Sequence, residues 1–341
     1  MSVLPAHATY ALAPDFSIAR ILNGLWQLSG AHGFTPDTQR DVPTMLPYHT
    51  RGLTTWDLAD HYGPAEEFIG LFRAQVRREY GESELSKIQA FTKWVPRPGR
   101  MTRQVVETAI DTSRRRMGVE KLDMLQFHWW EYGDTGYLDA LSHMVSLQYE
   151  GKIRFLSLTN FDTTHIGRIL SRGIRITSNQ VQYSLIDRRP ERAMIPFCLS
   201  NQIVLFTYGT LLGGLLTDKF YRKPEPAYPQ LNTASLRKYK QMIDAWGGWA
   251  LFQELLEVLR RIGTAYGVSI ANVATRYILD QPTVAGVIIG ARLGVADHAD
   301  QNLRSFSFSL TPEDRAMIHG VTSRGRDLFK LIGDCGDEYR R

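Results

Sequence analysis

Eight short runs rich in Ile, Val, Leu and Phe, each followed by a longer stretch of helical periodicity, constrain this chain more than any other feature. They are Arg20 to Trp26, Leu53 to Asp57, Ile88 to Trp94, Leu122 to His128, Ile153 to Asn160, Ser178 to Val181, Ile203 to Tyr208 and Val284 to Ile289. Helix-like segments such as Thr102 to Met117, Asp139 to Tyr149 and Leu251 to Gly267 come between them. Most of the runs are apolar on both faces, as parallel strands buried between helices must be. Strand and helix alternating eight times predicts an α/β fold, a (β/α)8 TIM barrel. A doubly wound open sheet is the alternative, but one that used a dinucleotide would normally carry a glycine-rich phosphate turn after its first strand, and the chain has no G-x-G-x-x-G.

At 341 residues the chain is long enough for folding to hide roughly three quarters of its surface in one core. The expectation is a single domain over 1–341, with the barrel at about 20–310 and an extension from 311 to 341. Apolar residues make up 43% and charged residues 22%, ordinary globular values that exclude a disordered, collagen-like or coiled-coil chain. The start, Met1-Ser-Val-Leu-Pro-Ala-His7, lacks the basic and apolar pattern of an export signal, and no apolar run is long enough to cross a membrane. Two cysteines, Cys198 and Cys335, cannot build a disulfide framework and point to a reducing, cytoplasmic setting. The net charge of +5 is spread along the chain, and Arg114-Arg115-Arg116 reads as a solvated helix face rather than a nucleic-acid stripe.

Barrel enzymes place their chemistry at the carboxyl ends of the strands. There the chain has Asp57 and nearby Tyr62, Lys93 and His128, after three consecutive runs. A phenol with a pKa of about 10 is a poor proton donor near neutrality, and a neighbouring ammonium is expected to lower that value. Lys93 can supply the ammonium, Asp57 can keep it charged and oriented, and His128 can hydrogen-bond the reacting oxygen. No nucleophile motif and no metal-binding spacing accompanies the set, so hydride from a nicotinamide cofactor is the natural attacking group. A long insertion from Gly209 to about Trp249 follows the seventh run and reads as an irregular lid or clamp over the same face.

At these residues the sequence resembles the aldo-keto reductase superfamily. The resemblance is carried by Trp56-Asp57-Leu-Ala-Asp60-His-Tyr62-Gly63-Pro-Ala-Glu66, Phe91-Thr-Lys93 and Leu125-Gln-Phe-His128. It continues through Gly151 to Phe161, Asn179 to Tyr183, Tyr208 to Thr217 and Val287 to Arg292, then to Asn302 and Leu303. It implies NADPH-dependent reduction of an aldehyde or ketone, with Tyr62 as proton donor, Lys93 and Asp57 as its tuning pair and His128 orienting the carbonyl. It further implies that Thr159, Asn160 and Gln180 hold the nicotinamide amide, that Tyr208 stacks on its ring, and that Gly24 and Trp26 pass beside it. Gly209, Leu211, Gly214 and Leu215 match a strap over the pyrophosphate; Gly290, Arg292, Gln301 and Asn302 match the adenosine end.

The likeness has departures. Thr159 replaces the commoner Ser, Gly209-Thr210 stand where Ser-Pro is frequent, and the Pro-Lys-Ser sequence usual after Gly290 is missing, which leaves Arg292 as the evident phosphate-binding cation. Trp94, Trp129 and Trp130, at run ends, are expected to wall a pocket for a flat apolar carbonyl compound or a sugar. Because some barrels of this superfamily are regulatory subunits, a non-catalytic NADP(H)-binding sensor is the alternative to a reductase.

Overall fold

The computed structural model describes residues 4–33 and 35–340. Met1, Ser2 and Val3, on which the absence of an export pattern partly rests, lie outside the described residues.

Two short strands, β1 (Thr9–Ala13) and β2 (Phe16–Ala19), pair antiparallel. Eight parallel strands follow: β3 (Ile21–Gly24), β4 (Thr55–Asp57), β5 (Gln89–Trp94), β6 (Leu122–His128), β7 (Ile153–Thr159), β8 (Ser178–Gln182), β9 (Val204–Tyr208) and β10 (Val284–Gly290). They close in the order β10-β3-β4-β5-β6-β7-β8-β9, the expected (β/α)8 barrel. The hairpin, for which the sequence reading made no provision, plugs the amino-terminal end. Phe16 packs edge-on to Phe155 at 5.1 Å between ring centres and, with Ile18, joins Leu22, Phe91, Met124, Phe206 and Ala285 in one apolar layer inside the barrel.

The connecting helices lie outside because each buries one stripe. The helix Ala65–Tyr80 buries Phe68, Ile69, Phe72 and Val76, spaced at one and two turns. The helix Arg103–Met117 starts where the Thr102 side chain accepts the Val105 amide and stops at Gly118, whose φ of 65° is the left-handed conformation that ends a helix cheaply only for glycine. The expected irregular insertion is in part regular: residues Ala234–Trp246 form a helix capped by Thr233. The first turn of this helix reaches across to the loop after β3, where Ala234 donates to the Ala31 carbonyl and His32 bonds Ser235 at 2.9 Å. No helix among the described residues is long and apolar enough to cross a membrane.

Candidate active site

Side chains alternate along a strand, so every second residue faces the barrel interior. On β6 those residues are Met124, Gln126 and His128, in order from the apolar floor to the mouth. The same parity turns Asp57, Lys93, Thr159, Gln180 and Tyr208 inward at the ends of their strands. An apolar floor therefore carries a polar upper layer.

The centre of that layer is a buried ion pair. Lys93 Nζ lies 2.7 Å and 2.6 Å from the two oxygens of Asp57 and also donates to the Leu58 carbonyl at 3.1 Å. Asp57 Oδ1 further accepts the side-chain amides of Gln126 at 3.0 Å and Gln180 at 2.7 Å. Gln126 belongs to the site but was not singled out from the sequence, although it sits two residues before His128 and must share its face. Burial pushes the Lys93 ammonium down from its ordinary value, and the charge of Asp57 opposes that shift.

Tyr62 sits in the turn after β4, its ring centre 5.1 Å from Lys93 Nζ. The turn presses on the loop after β3: a Cβ on Gly63, at φ 56°, would lie 2.5 Å from the Leu28 carbonyl oxygen. The phenol departs from expectation, because its pKa is raised rather than lowered. Burial is the main cause and the Asp57 carboxylate the next, and the ion-paired Lys93 does not outweigh them. His128 is pushed down to about 3, by burial first and then by its neighbours Arg340, His61 and Lys93, so its imidazole is neutral across the physiological range.

Around His128 stand Trp130, stacked at 4.8 Å, and Asn160, whose Nδ2 is 3.5 Å from His128 Nε2. Asn160 has a φ of 57°, unusual for a residue with a side chain, and its Oδ1 accepts the Tyr208 hydroxyl at 2.9 Å. Of the three tryptophans expected at the pocket wall, the structure brings only Trp130 to the mouth. Trp94 and Trp129 follow inward-facing Lys93 and His128, so both point out to the helices. Trp129 is fully buried, its Nε1 donating to the Glu131 and Asp134 carbonyls, and Trp94 lines an outer groove with Pro96, Arg97 and Met101.

The residues present fit a nicotinamide dinucleotide. Among the described residues Thr159 Oγ1 is buried without a hydrogen-bond partner, an unmet need that an amide could satisfy. Gly24 and Gly290 face each other in register at the ends of β3 and β10, where a Cβ on Gly290 would lie 2.4 Å from Gln27 Nε2. Trp26, half-buried, packs edge-on to His32 beside them. Gly209 takes a φ of 72°, and a Cβ there would come within 2.6 Å of the Tyr239 hydroxyl. It opens a strap that carries Leu211, Gly214 and Leu215 past the insertion helix. Arg292 is exposed just beyond β10 and its guanidinium has no ion pair among the described residues; exposed Gln301 and half-buried Asn302 follow on the helix Ala299–Leu303. Among the described residues no group of three or more His, Cys, Asp or Glu could hold a metal ion.

The carboxyl-terminal extension also enters the mouth, with no motif to announce it. Glu338 accepts from Arg189 at 2.7 Å, and Arg189 is held in turn by Asp187 at 2.8 Å and 2.9 Å. Asp334 accepts the amide and hydroxyl of Thr163 at 3.1 Å and 3.0 Å. Beyond these anchors Tyr339 packs edge-on to His128 and Trp130, and its hydroxyl meets Lys238 Nζ at 2.6 Å and the Tyr208 hydroxyl at 3.1 Å. Cys198 and Cys335 are both free and buried.

Comparison with known proteins agrees with this architecture. A relative in Escherichia coli named NADH-specific methylglyoxal reductase is 24% identical over 319 residues, 89% of this chain and 94% of that one. The aldo-keto reductase YhdN of Bacillus subtilis is 25% identical over 287 residues, 80% of this chain and 81% of the other. Among solved structures, the glycerol dehydrogenase of Gluconobacter oxydans superposes with a TM-score of 0.77 at 23% identity, covering 94% of this chain and 96% of its own. An aldo/keto reductase of Klebsiella pneumoniae in complex with NADP and acetate gives 0.68 at 22% identity, with coverage of 92% and 95%. The model of the aldo/keto reductase family matches residues 20–322, and the chain belongs to that family of oxidoreductases.

Proposed function

We propose that this chain reduces an aldehyde or ketone to an alcohol with NADPH, Tyr62 giving the proton to the carbonyl oxygen. The observation that carries the reading is the Asp57–Lys93 pair buried under Tyr62 and beside a neutral His128. When bound, the nicotinamide cofactor supplies the hydride. Thr159, Asn160 and Gln180 would hold its amide end and Tyr208 would lie beside its ring.

The neutral imidazole of His128 can donate a hydrogen bond to the carbonyl oxygen, fixing it near the Tyr62 hydroxyl. A phenol held above its ordinary pKa keeps its proton until a stronger base appears. The oxygen of a carbonyl under reduction becomes such a base, because an alkoxide is more basic than a phenolate, so the proton moves downhill from Tyr62. The ammonium of Lys93 then stabilises the phenolate left behind, and Asp57 keeps that ammonium charged against its burial. Trp130, 39% exposed, offers the flat apolar platform on which the rest of the substrate can lie.

NADPH is preferred in this proposal because Arg292 is free to take a 2′-phosphate. The name of the Escherichia coli relative specifies NADH and the Klebsiella pneumoniae neighbour holds NADP, so the preference rests on this chain's own arginine. Following NADPH oxidation with a panel of aliphatic, aromatic and sugar aldehydes tests the reading. Turnover with at least one is expected; tight NADPH binding without turnover of any would favour a sensor.

A further inference from the structure

Two residues expected to hold the nicotinamide, Asn160 and Tyr208, are themselves held by the carboxyl-terminal tail. Arg340 Nη2 donates to the Asn160 carbonyl at 2.5 Å and to the Trp129 carbonyl at 3.2 Å, and its guanidinium lies 3.8 Å from the centre of the Tyr132 ring. The tail backbone closes against the same carbonyl: a Cβ on Gly336 would be only 2.0 Å from Asn160 O, so that position admits glycine alone. One residue earlier, Tyr339 joins Lys238 to Tyr208, whose hydroxyl ends on Asn160 Oδ1.

These contacts act on a backbone in an uncommon conformation. Asn160 stands at a φ of 57°, a conformation that costs a non-glycine residue free energy and persists only where its surroundings enforce it. Its amide is tied to the Gln180 carbonyl at 2.9 Å, the peptide that carries its carbonyl donates through the Phe161 amide to Asn179 Oδ1 at 3.4 Å, and Arg340 is the side chain that meets the carbonyl itself. The tail is a built part of the mouth and not a loose end, because the Arg189–Glu338 and Thr163–Asp334 contacts fix it independently of Arg340.

On the cofactor reading above, we propose that the tail positions the nicotinamide end of the site: Arg340 enforces the conformation of Asn160, and Tyr339, gripped by Lys238, fixes Tyr208. Arg340 is a positioning residue; it acts through Asn160. Because among the described residues the tail meets the nicotinamide end of the site and not Arg292, Gln301 or Asn302, its loss should weaken both NADPH and NADH and leave the adenosine end alone.

The test is equilibrium binding to the full-length chain without substrate, by quenching of tryptophan fluorescence, with NADPH, NADH and the fragment 2′,5′-ADP as separate probes. Arg340→Ala should raise the Kd of both NADPH and NADH roughly tenfold, the size of one charge-assisted hydrogen bond, with 2′,5′-ADP unchanged. Arg340→Lys, which keeps one donor and the charge, should recover part of the loss. Should Arg340→Ala not fold, Tyr339→Phe carries the same comparison, since it removes only the hydroxyl between Lys238 and Tyr208. Unchanged or tighter NADPH binding would overturn the proposal, showing that the tail does not support the seat or obstructs it. An equal loss for 2′,5′-ADP would overturn it as general damage. If the wild-type chain binds neither NADPH nor NADH, the cofactor reading itself falls, an outcome separate from a wild type that binds and variants that bind equally well.

Discussion

Lys93 and Asp57 touch through both carboxylate oxygens, at 2.7 Å and 2.6 Å, with side chains only 2% and 5% exposed. A pair this deep is costly to bury and far more costly to break, because the survivor is left as an unpaired charge in a low-dielectric site. On the proposed mechanism, catalysis and stability therefore answer to the same two residues.

Removing one partner should destabilise the protein by about 3 to 5 kcal/mol, whereas removing both should cost much less. Asp57→Leu is expected at the upper end, since Gln126 and Gln180 also lose an acceptor, and Asp57→Leu with Lys93→Met should regain most of the loss. Urea unfolding of the single and double variants measures this. A double variant as unstable as Asp57→Leu would mean that the pair is not the source of the cost.

His128 predicts a pH dependence. Its folded pKa, about 3, lies below the unfolded value near 6.5, so the unfolded chain binds the proton first as pH falls. The contribution is fully present above pH 6.5 and is lost progressively toward pH 3, by up to about 1.4 kcal/mol per pH unit for one proton. His128→Gln should flatten the fall in stability between pH 6.5 and 5 by close to that slope, read from urea titrations at several pH values. Parallel curves for the wild type and the variant would show that His128 titrates normally.

Trp129 and Trp130 should separate although they are adjacent. Trp130→Ala should raise KM for a bulky aromatic aldehyde more than for a small aliphatic one, by removing stacking area at the mouth. Trp129→Ala should cost about 3 to 5 kcal/mol of stability as a core truncation, without changing the ratio of the two KM values. Equal shifts in that ratio for both variants would contradict the parity assignment.

That parity was readable in the sequence. If Lys93 and His128 face inward, Trp94 and Trp129 must face outward and Gln126 inward, because side chains alternate along a strand; reading strand ends as a cluster overlooks the alternation. Most of the eight barrel strands were legible because they are largely apolar runs, and β6 carries the expected bounds, Leu122 to His128, whereas β8 (Ser178–Gln182) is mostly polar. The hairpin was not legible, because β1 and β2 are short, and their role as a plug depends on Phe91, Met124 and Phe206 far along the chain. The tail was hidden for a related reason: Arg340 meets Asn160 180 residues away and Tyr339 meets Lys238 101 residues away, with no local pattern at either end. The raised pKa of Tyr62 likewise depends on the burial that distant segments create.

In the proposed reading, cofactor choice rests on Arg292. Arg292→Ala should weaken NADPH binding by roughly ten- to a hundredfold, the value of a charge-assisted contact to phosphate, and leave NADH nearly unchanged. Fluorescence titration of both cofactors against the wild type and the variant decides it; equal losses, or none, would place the 2′-phosphate elsewhere.

The central claim, that Tyr62 delivers the proton, is tested most directly by Tyr62→Phe. The variant keeps the ring and loses only the hydroxyl. It should retain the wild-type Kd for NADPH and lose most carbonyl reduction, on the order of a hundredfold or more in kcat, the usual contribution of a general acid. A kcat close to that of the wild type, with the same aldehyde, would contradict it.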